Sequence, residues 1–425
     1  MSWDSALKAL IENYRTAKRV VMDRLPRLAA KYGLIIVVAL ATPGVLYFGW
    51  QASPAAFQPM YFSEMPDAAA LRSHLGPPRI TKTPEFVKGI YASADTVGDK
   101  KRFGEIIDLI GQTELNALVI DLKNHRSQIA FATENEGLKP SMAPRPPLGQ
   151  LTDLSARLHK EGIYIIGRLP VFLDQTLAEK RPDLAVKRAN GTLWSDRLGL
   201  HWLDPSAVDV WKYNVAIASE AINSGFDEIQ FDYIRFPSDG DVNAIKYPLY
   251  DGKKPKYQVI TEFFSYLDRQ LRDNHGAVIS ADLFGLTLWQ HNSDLNIGQR
   301  LDAAAPRFDF VSPMVYPSHY PAGFEGYANP ALYPYEVIYS NLVKGNELYE
   351  VLNQQNTAAT AADPASPAVH LAGIRPWLQD FDMGAVYDAA RVRAQMRAVV
   401  DAGASGWLLW NAANVYTESA LEKAP

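Results

Sequence analysis

Two segments place a carboxylate at the end of a short apolar run: GFDEIQFDYIRFP (225–237) and VISADLFG (278–285). Alternate side chains of an extended chain share a face, so Glu228, Gln230 and Asp232 point one way and Ile229 and Phe231 the other. The second segment repeats the arrangement, with Ser280 and Asp282 opposed to Ile279 and Ala281. Carboxyl groups on two neighbouring strands suit acid–base chemistry, one protonating a leaving oxygen while the other attacks or activates water. Cleavage of a glycosidic bond needs such a pair on opposite faces of a sugar. Asp232, as nucleophile or base, and Asp282, as general acid, are the candidate catalytic residues. The competing reading of Asp232 is a cap for the helix that follows its strand.

Other polar and aromatic residues end apolar runs in the same way and are candidates for binding substrate. They are Tyr91, Asp121, Lys123, Arg168, Arg235 and Tyr316, followed by Arg375, Trp377, Gln379, Asp380, Trp410 and Asn411. Asp121 has an alternative role as a salt-bridged partner of Lys123 or Arg168. Aromatic faces stack on the apolar faces of sugar rings, although an interior Trp is as often plain core. Lys123, Arg168, Arg235 and Arg375 would give the mouth a local positive charge. The chain has no cysteine, and its eight histidines fall in no metal-ligating spacing, so neither a metal nor another cofactor is expected.

These residues need elements to hold them. Apolar runs at Phe86–Ala92, Ala117–Leu122, Ile163–Arg168, Asp227–Tyr233, Val278–Asp282, Phe308–Tyr316, Ala372–Trp377 and Gly406–Asn411 read as strands. Helical spacing falls between them at Lys101–Gly111, Leu151–Lys160, 208–222, Tyr257–Leu271 and Ala389–Asp401. Alternation of this kind implies parallel strands with right-handed crossovers, and eight strands suit a closed α/β barrel, the (β/α)8 TIM barrel. A doubly wound open sheet is the alternative. Long irregular stretches at 123–150, 172–205, 237–256, 285–305 and 317–370 all follow strands, where a barrel builds its active face. The Ala-, Thr- and Pro-rich stretch at 356–369 reads as a mobile loop.

The ends of the chain differ in charge. Residues 1–31 carry seven Lys and Arg against three acidic residues, about +4, which leaves about −9 of the net −5 to the remainder. An acidic body argues against a nucleic-acid partner. Residues 32–50 run for 19 positions without a charge, long enough to cross a bilayer as a helix. The basic flank places the N-terminus in the cytoplasm, and the length of that flank favours a retained anchor over a cleaved signal peptide. The expected organisation is a cytoplasmic basic segment (1–31), a transmembrane anchor (32–50), a linker (51–83) and the barrel (84–425). That makes a single-pass inner-membrane protein with a periplasmic or extracellular barrel.

Several motifs taken together point to a family. VKGIY (87–91), LVIDLKN (118–124), SADLFG (280–285), FVSPMVYPSHY (310–320) and IRPWLQDF (374–381) stand in this order over roughly 84–420. The chain resembles the putative glycoside hydrolase family, a bacterial TIM-barrel domain of unknown function related to other TIM-barrel glycosidases. ANGTLW (189–194) and HWLDPSAVDVWKYNV (201–215) resemble a run shared by several of those glycosidases. The resemblance implies a barrel and a carbohydrate-active site, hence an O-glycoside hydrolase acting on a cell-envelope or exported polysaccharide. The alternative is a non-catalytic barrel that binds glycan or a partner protein at the envelope. A metal-dependent deacetylase or phosphoesterase would need ligand clusters that the spacing does not offer.

Overall fold

A computed structural model describes residues 83–273, 276–362 and 369–424. The strands are β1 (Val87–Ala92), β2 (Ala117–Asp121), β3 (Tyr164–Pro170), β4 (Glu228–Asp232), β5 (Val278–Phe284) and β6 (Phe310–Met314). Two short pieces, β7 (Gly373–Ile374) and β8 (Trp377–Gln379), follow before β9 (Gly406–Trp410). All pair in parallel. Pairing of β5 with β6 and of β1 with β9 closes the sheet, and β7 and β8 share one position beside β6. The result is an eight-stranded parallel barrel, which rules out the open sheet.

Each strand buries both faces, so its two sets of alternating residues serve two cores. Ile90, Ile120, Ile165, Ile229, Phe231 and Ile279 face outward and pack beneath the helices. Tyr91, Val119, Ile166, Trp377 and Leu408 cluster inside the barrel. The outer layer comprises helices α1 (Lys100–Gln112), α2 (Leu151–Lys160), α3 (Val208–Asn223), α4 (Lys256–Leu267), α5 (Pro334–Ala362) and α6 (Ala389–Asp401). Capping sets some of their starts: Asp99 accepts from the Lys101 and Arg102 amides at α1, and Asp388 from the Arg391 amide at α6.

Three differences from the sequence reading have physical causes. The seventh strand breaks at Arg375–Pro376, where proline has no amide to donate to the ladder. The stretch 317–370, expected to be irregular, contains the 29-residue α5, which takes in residues 356–362 of the expected loop. Its buried positions Val337, Ile338, Asn341, Leu342 and Leu348 keep helical spacing, and Gly345 brings it close to Leu288 and Ile374. Helix α4 ends at Leu267 and passes into one π-helical stretch, Asp268–Asp273, rather than running on to Leu271.

Among the described residues no helix is long and apolar enough to cross a membrane. The expected anchor at 32–50, with the basic segment and most of the linker, lies outside the described residues.

Candidate active site

Strand register assembles the site. Asp121 on β2 stands opposite Arg168 on β3, and Arg168 opposite Gln230 on β4. Phe231 pairs with Ala281, so Asp232 and Asp282 are the next positions on their two strands. Period-two alternation turns Asp121, Arg168, Asp232 and Asp282 inward at the C-terminal mouth. All four are buried.

Arg168 is the hub. Its Nη1 donates to Asp121 Oδ1 at 2.5 Å, while Nε and Nη2 donate to Asp232 Oδ2 at 3.1 and 2.5 Å. The Tyr233 amide donates to Asp232 Oδ1 at 2.6 Å, so Asp232 accepts three N–H bonds. Tyr233 itself has a left-handed backbone, with φ at 51°. A non-glycine residue in this region is strained, and such strain concentrates at functional sites.

Asp282 sits in a different environment. Its Oδ1 accepts the Trp377 indole N–H at 2.8 Å, while Oδ2 is 4.0 Å from Arg168 Nε. Burial, reinforced by the charge of Asp232, holds this carboxyl well above the usual carboxylate range. With Oδ1 engaged by the indole, Oδ2 is left to carry the proton. Oδ2 of Asp232 and of Asp282 flank the same Nε, so they lie no more than about 7 Å apart.

A cavity of about 200 Å³ opens over this pair. Trp410 and Tyr316 form part of its wall, and Trp377 lies edge-on to Trp410 with centroids 5.6 Å apart. Tyr91 backs the wall, stacking on Trp410 at 4.2 Å and donating to Asp121 Oδ2 at 2.5 Å. Desolvation pushes the Tyr91 phenol far up, and it raises Asp121 against the pull of Arg168. Tyr91 thus contacts Trp410 directly and Arg168 through Asp121. Arg235 enters from the loop after β4, its guanidinium lying against Trp202, Phe284 and Tyr233.

Seven of the twelve expected binding residues do not line this cavity: Tyr91 and Asp121 stand behind its wall, and five others lie elsewhere. Lys123 lies two residues past the end of β2, where the alternation ends, and bonds Asp174 Oδ2 at 2.8 Å and Asn214 Oδ1 at 3.0 Å. Arg375 faces inward but one layer deeper, fully buried and paired with Glu228, which also accepts from Tyr164 and Ser280. Gln379 braces loops, donating to the Phe381 carbonyl and accepting from the Ser318 amide. Asp380 accepts from the amide and hydroxyl of Thr417, and Asn411 donates to the Asp380 carbonyl. The basic mouth thus reduces to Arg168, already neutralised, and Arg235.

Three lining residues escaped the sequence reading: Tyr233, Phe284 and Met314. For two of them the signal was present, since Phe284 shares a face with Ser280 and Asp282, and Met314 with Ser312. Tyr233 carried none, because only its positive φ brings it to the cavity. Among the described residues no cluster of three or more His, Asp or Glu side chains is arranged to hold a metal ion.

A parallel barrel whose mouth holds paired acidic side chains beside an aromatic wall has the architecture of barrel glycosidases. A family model described as "Putative glycosyl hydrolase domain" matches residues 89–416, and the chain belongs to that family. A hypothetical protein from Ruminiclostridium thermocellum ATCC 27405 is 36% identical over 45% of this chain and 96% of its own, with a TM-score of 0.41. The glycoside hydrolase domain of PgaB (BpsB) from Bordetella bronchiseptica is 16% identical over 77% of this chain and 94% of its own, with a TM-score of 0.51. The hyperthermostable endo-1,4-beta-D-mannanase from Thermotoga petrophila RKU-1 is 10% identical over 77% and 88%, with a TM-score of 0.46. At such identity the likeness to the Bordetella domain shows the fold alone. No curated protein gives a significant match.

Proposed function

We propose that the protein hydrolyses O-glycosidic bonds of a cell-envelope or exported polysaccharide, with Asp232 as nucleophile or general base and Asp282 as general acid. The observation that carries this reading is the inequality of the two carboxyl groups. Asp232 accepts three N–H bonds, whereas Asp282 is buried and, beside Asp232, driven toward its protonated form. Two carboxyl groups whose surroundings differ in this sense divide into base and acid. In the reaction Asp282 would protonate the departing glycosidic oxygen, and Asp232 would attack the anomeric carbon or take a proton from water. The limit of about 7 Å between their facing oxygens lets both reach one bond. Trp377 would keep Asp282 oriented through its indole N–H, and the part of Trp410 that lines the cavity would give the sugar an apolar contact.

An envelope location is part of the proposal. Its support is the uncharged run at 32–50 behind a basic flank, which would hold the barrel on the outer side of the inner membrane.

The test is a screen against envelope and exported polysaccharides, reading new reducing ends, with Asp232→Asn and Asp282→Asn alongside the wild type. The expected result is cleavage that falls by about 10²- to 10⁴-fold in each variant while the fold is kept. Full activity in Asp232→Asn sinks the assignment. Saturable binding without cleavage, unchanged in both variants, would support a non-catalytic glycan-binding barrel instead.

A further inference from the structure

Arg235 is nine-tenths buried, at 9% exposure, yet among the described residues no carboxylate lies within ion-pairing distance of it. Every other deeply buried cation of the barrel interior has one: Arg168 has Asp121 and Asp232, Lys123 has Asp174, and Arg375 has Glu228. A buried charge without a partner is expensive, which makes the exception informative. Burial pulls the Arg235 guanidinium below its usual range, outweighing the through-space effects of Tyr233, Asp232, Asp239 and Asp196.

The guanidinium is fixed on one side and open on the other. Nη1 donates to the Phe236 carbonyl at 3.2 Å and to Ser238 Oγ at 3.0 Å. The side chains of Trp202 and Phe284 lie against it at 4.7 and 4.8 Å from their ring centroids. The Nε and Nη2 edge has no hydrogen-bond partner among the described residues, and Arg235 lines the cavity beside Asp232 and Asp282. That edge presents two parallel N–H groups, the fork that fits a carboxylate side-on.

We propose that the cavity binds an acidic glycan, a sugar ring bearing a carboxylate, and that Arg235 receives this carboxylate through its Nε and Nη2 edge. The assignment rests on the reading of the cavity as a glycan site and adds the class of sugar. A neutral sugar would leave the buried guanidinium uncompensated, whereas a uronate supplies the missing counter-charge. Asp121 and Asp232 do not compete for it, since both already bond Arg168.

The test is a tryptophan-fluorescence and calorimetric titration of the full chain in detergent. The probes are oligosaccharides of polygalacturonate, alginate and glucuronan, each compared with its carboxyl-reduced counterpart. The acidic form of at least one should bind about 10- to 100-fold more tightly than its neutral twin, the range expected for one charge-assisted bidentate contact. Arg235→Gln should bring that ratio to within about twofold, and Arg235→Lys, which keeps the charge and loses the fork, should fall between. Equal binding of the neutral twins, or no saturable binding of any acidic oligosaccharide, overturns the proposal. So does an unaltered ratio in Arg235→Gln. Tighter binding of sulfated oligosaccharides than of carboxylated ones would replace the carboxylate by a sulfate and overturn the assignment in its stated form. The titration reads binding without turnover. Acidic oligosaccharides that bind through Arg235 yet are never cleaved would overturn the hydrolase reading and leave this one standing.

Discussion

At the scale of single residues, Asp282 ties catalysis and stability to one proton. Burial and the charge of Asp232 raise its folded-state pKa, whereas in the unfolded chain an Asp titrates near the ordinary value of about 3.9. Between those two values the folded protein binds the extra proton, so the stability linked to Asp282 is fully present below about pH 4 and is lost as pH rises through the folded-state value. Asn at 282 removes the titration. Asp282→Asn should therefore gain stability relative to the wild type as pH rises above about 4, which urea unfolding at stepped pH would measure. A difference that stays flat from about pH 4 to about pH 8 would contradict the raised pKa. The same proton governs the rate. If Asp282 is the acid, kcat/KM falls on the alkaline side as that proton is lost, and this limb disappears from the residual activity of Asp282→Asn. A limb that persists unchanged in the variant assigns the acid to another group.

At the scale of elements, strand alternation made much of the site legible and also marks where legibility stops. Asp232, Asp282, Arg168 and Trp410 could be placed from sequence because each belongs to a strand whose register is unbroken up to that residue. Lys123, Asp380 and Asn411 could not, since each stands just past a strand end, where the chain bends and period two no longer applies. Arg375 shows a different limit: alternation gives direction but not depth, and depth here sends it to Glu228 instead of the cavity. Helix α5 was hidden by Tyr, Val, Asn and Thr residues that favour helix weakly, although its buried positions carry the helical period. Two glycines allow a test of how the elements meet. Gly406 opens β9 at φ 144°, and a Cβ there would run into the Val87 backbone, with its amide nitrogen at 2.8 Å. Gly406→Ala should then cost about 2 kcal/mol or more, by combining backbone strain with a collision that closure of the barrel cannot relieve. Gly104, inside α1, would meet nothing within 4 Å, so Gly104→Ala should stabilise by about 1 kcal/mol. Thermal melts of the two variants should move in opposite directions, and a Gly406→Ala melt at the wild-type temperature would refute this account of the closure.

At the scale of the whole molecule, charge is divided along the chain. The first 31 residues carry about +4 and the rest about −9, with the uncharged run of 32–50 beginning where the sign changes. An acidic body that took the acidic glycan proposed above would have to confine attraction to the mouth, and the guanidinium of Arg235, without an ion-pair partner among the described residues, would do this without making the surface basic. An exported glycan would also have to meet the barrel on the outer side of the membrane. The location proposed for the barrel makes that requirement testable. The full chain should sediment with membranes and resist carbonate extraction, whereas a fragment beginning near residue 84 should be soluble and keep the same activity, since the whole cavity lies within it. A reporter active only outside the cytoplasm, fused after residue 425, should be active, and intact-mass analysis should find the first 50 residues still attached. Recovery of the full-length chain in the soluble cytoplasmic fraction would refute the anchor. A mature chain that starts beyond residue 50, found outside the cytoplasm, would mean a cleaved signal that delivers the same barrel to the same side.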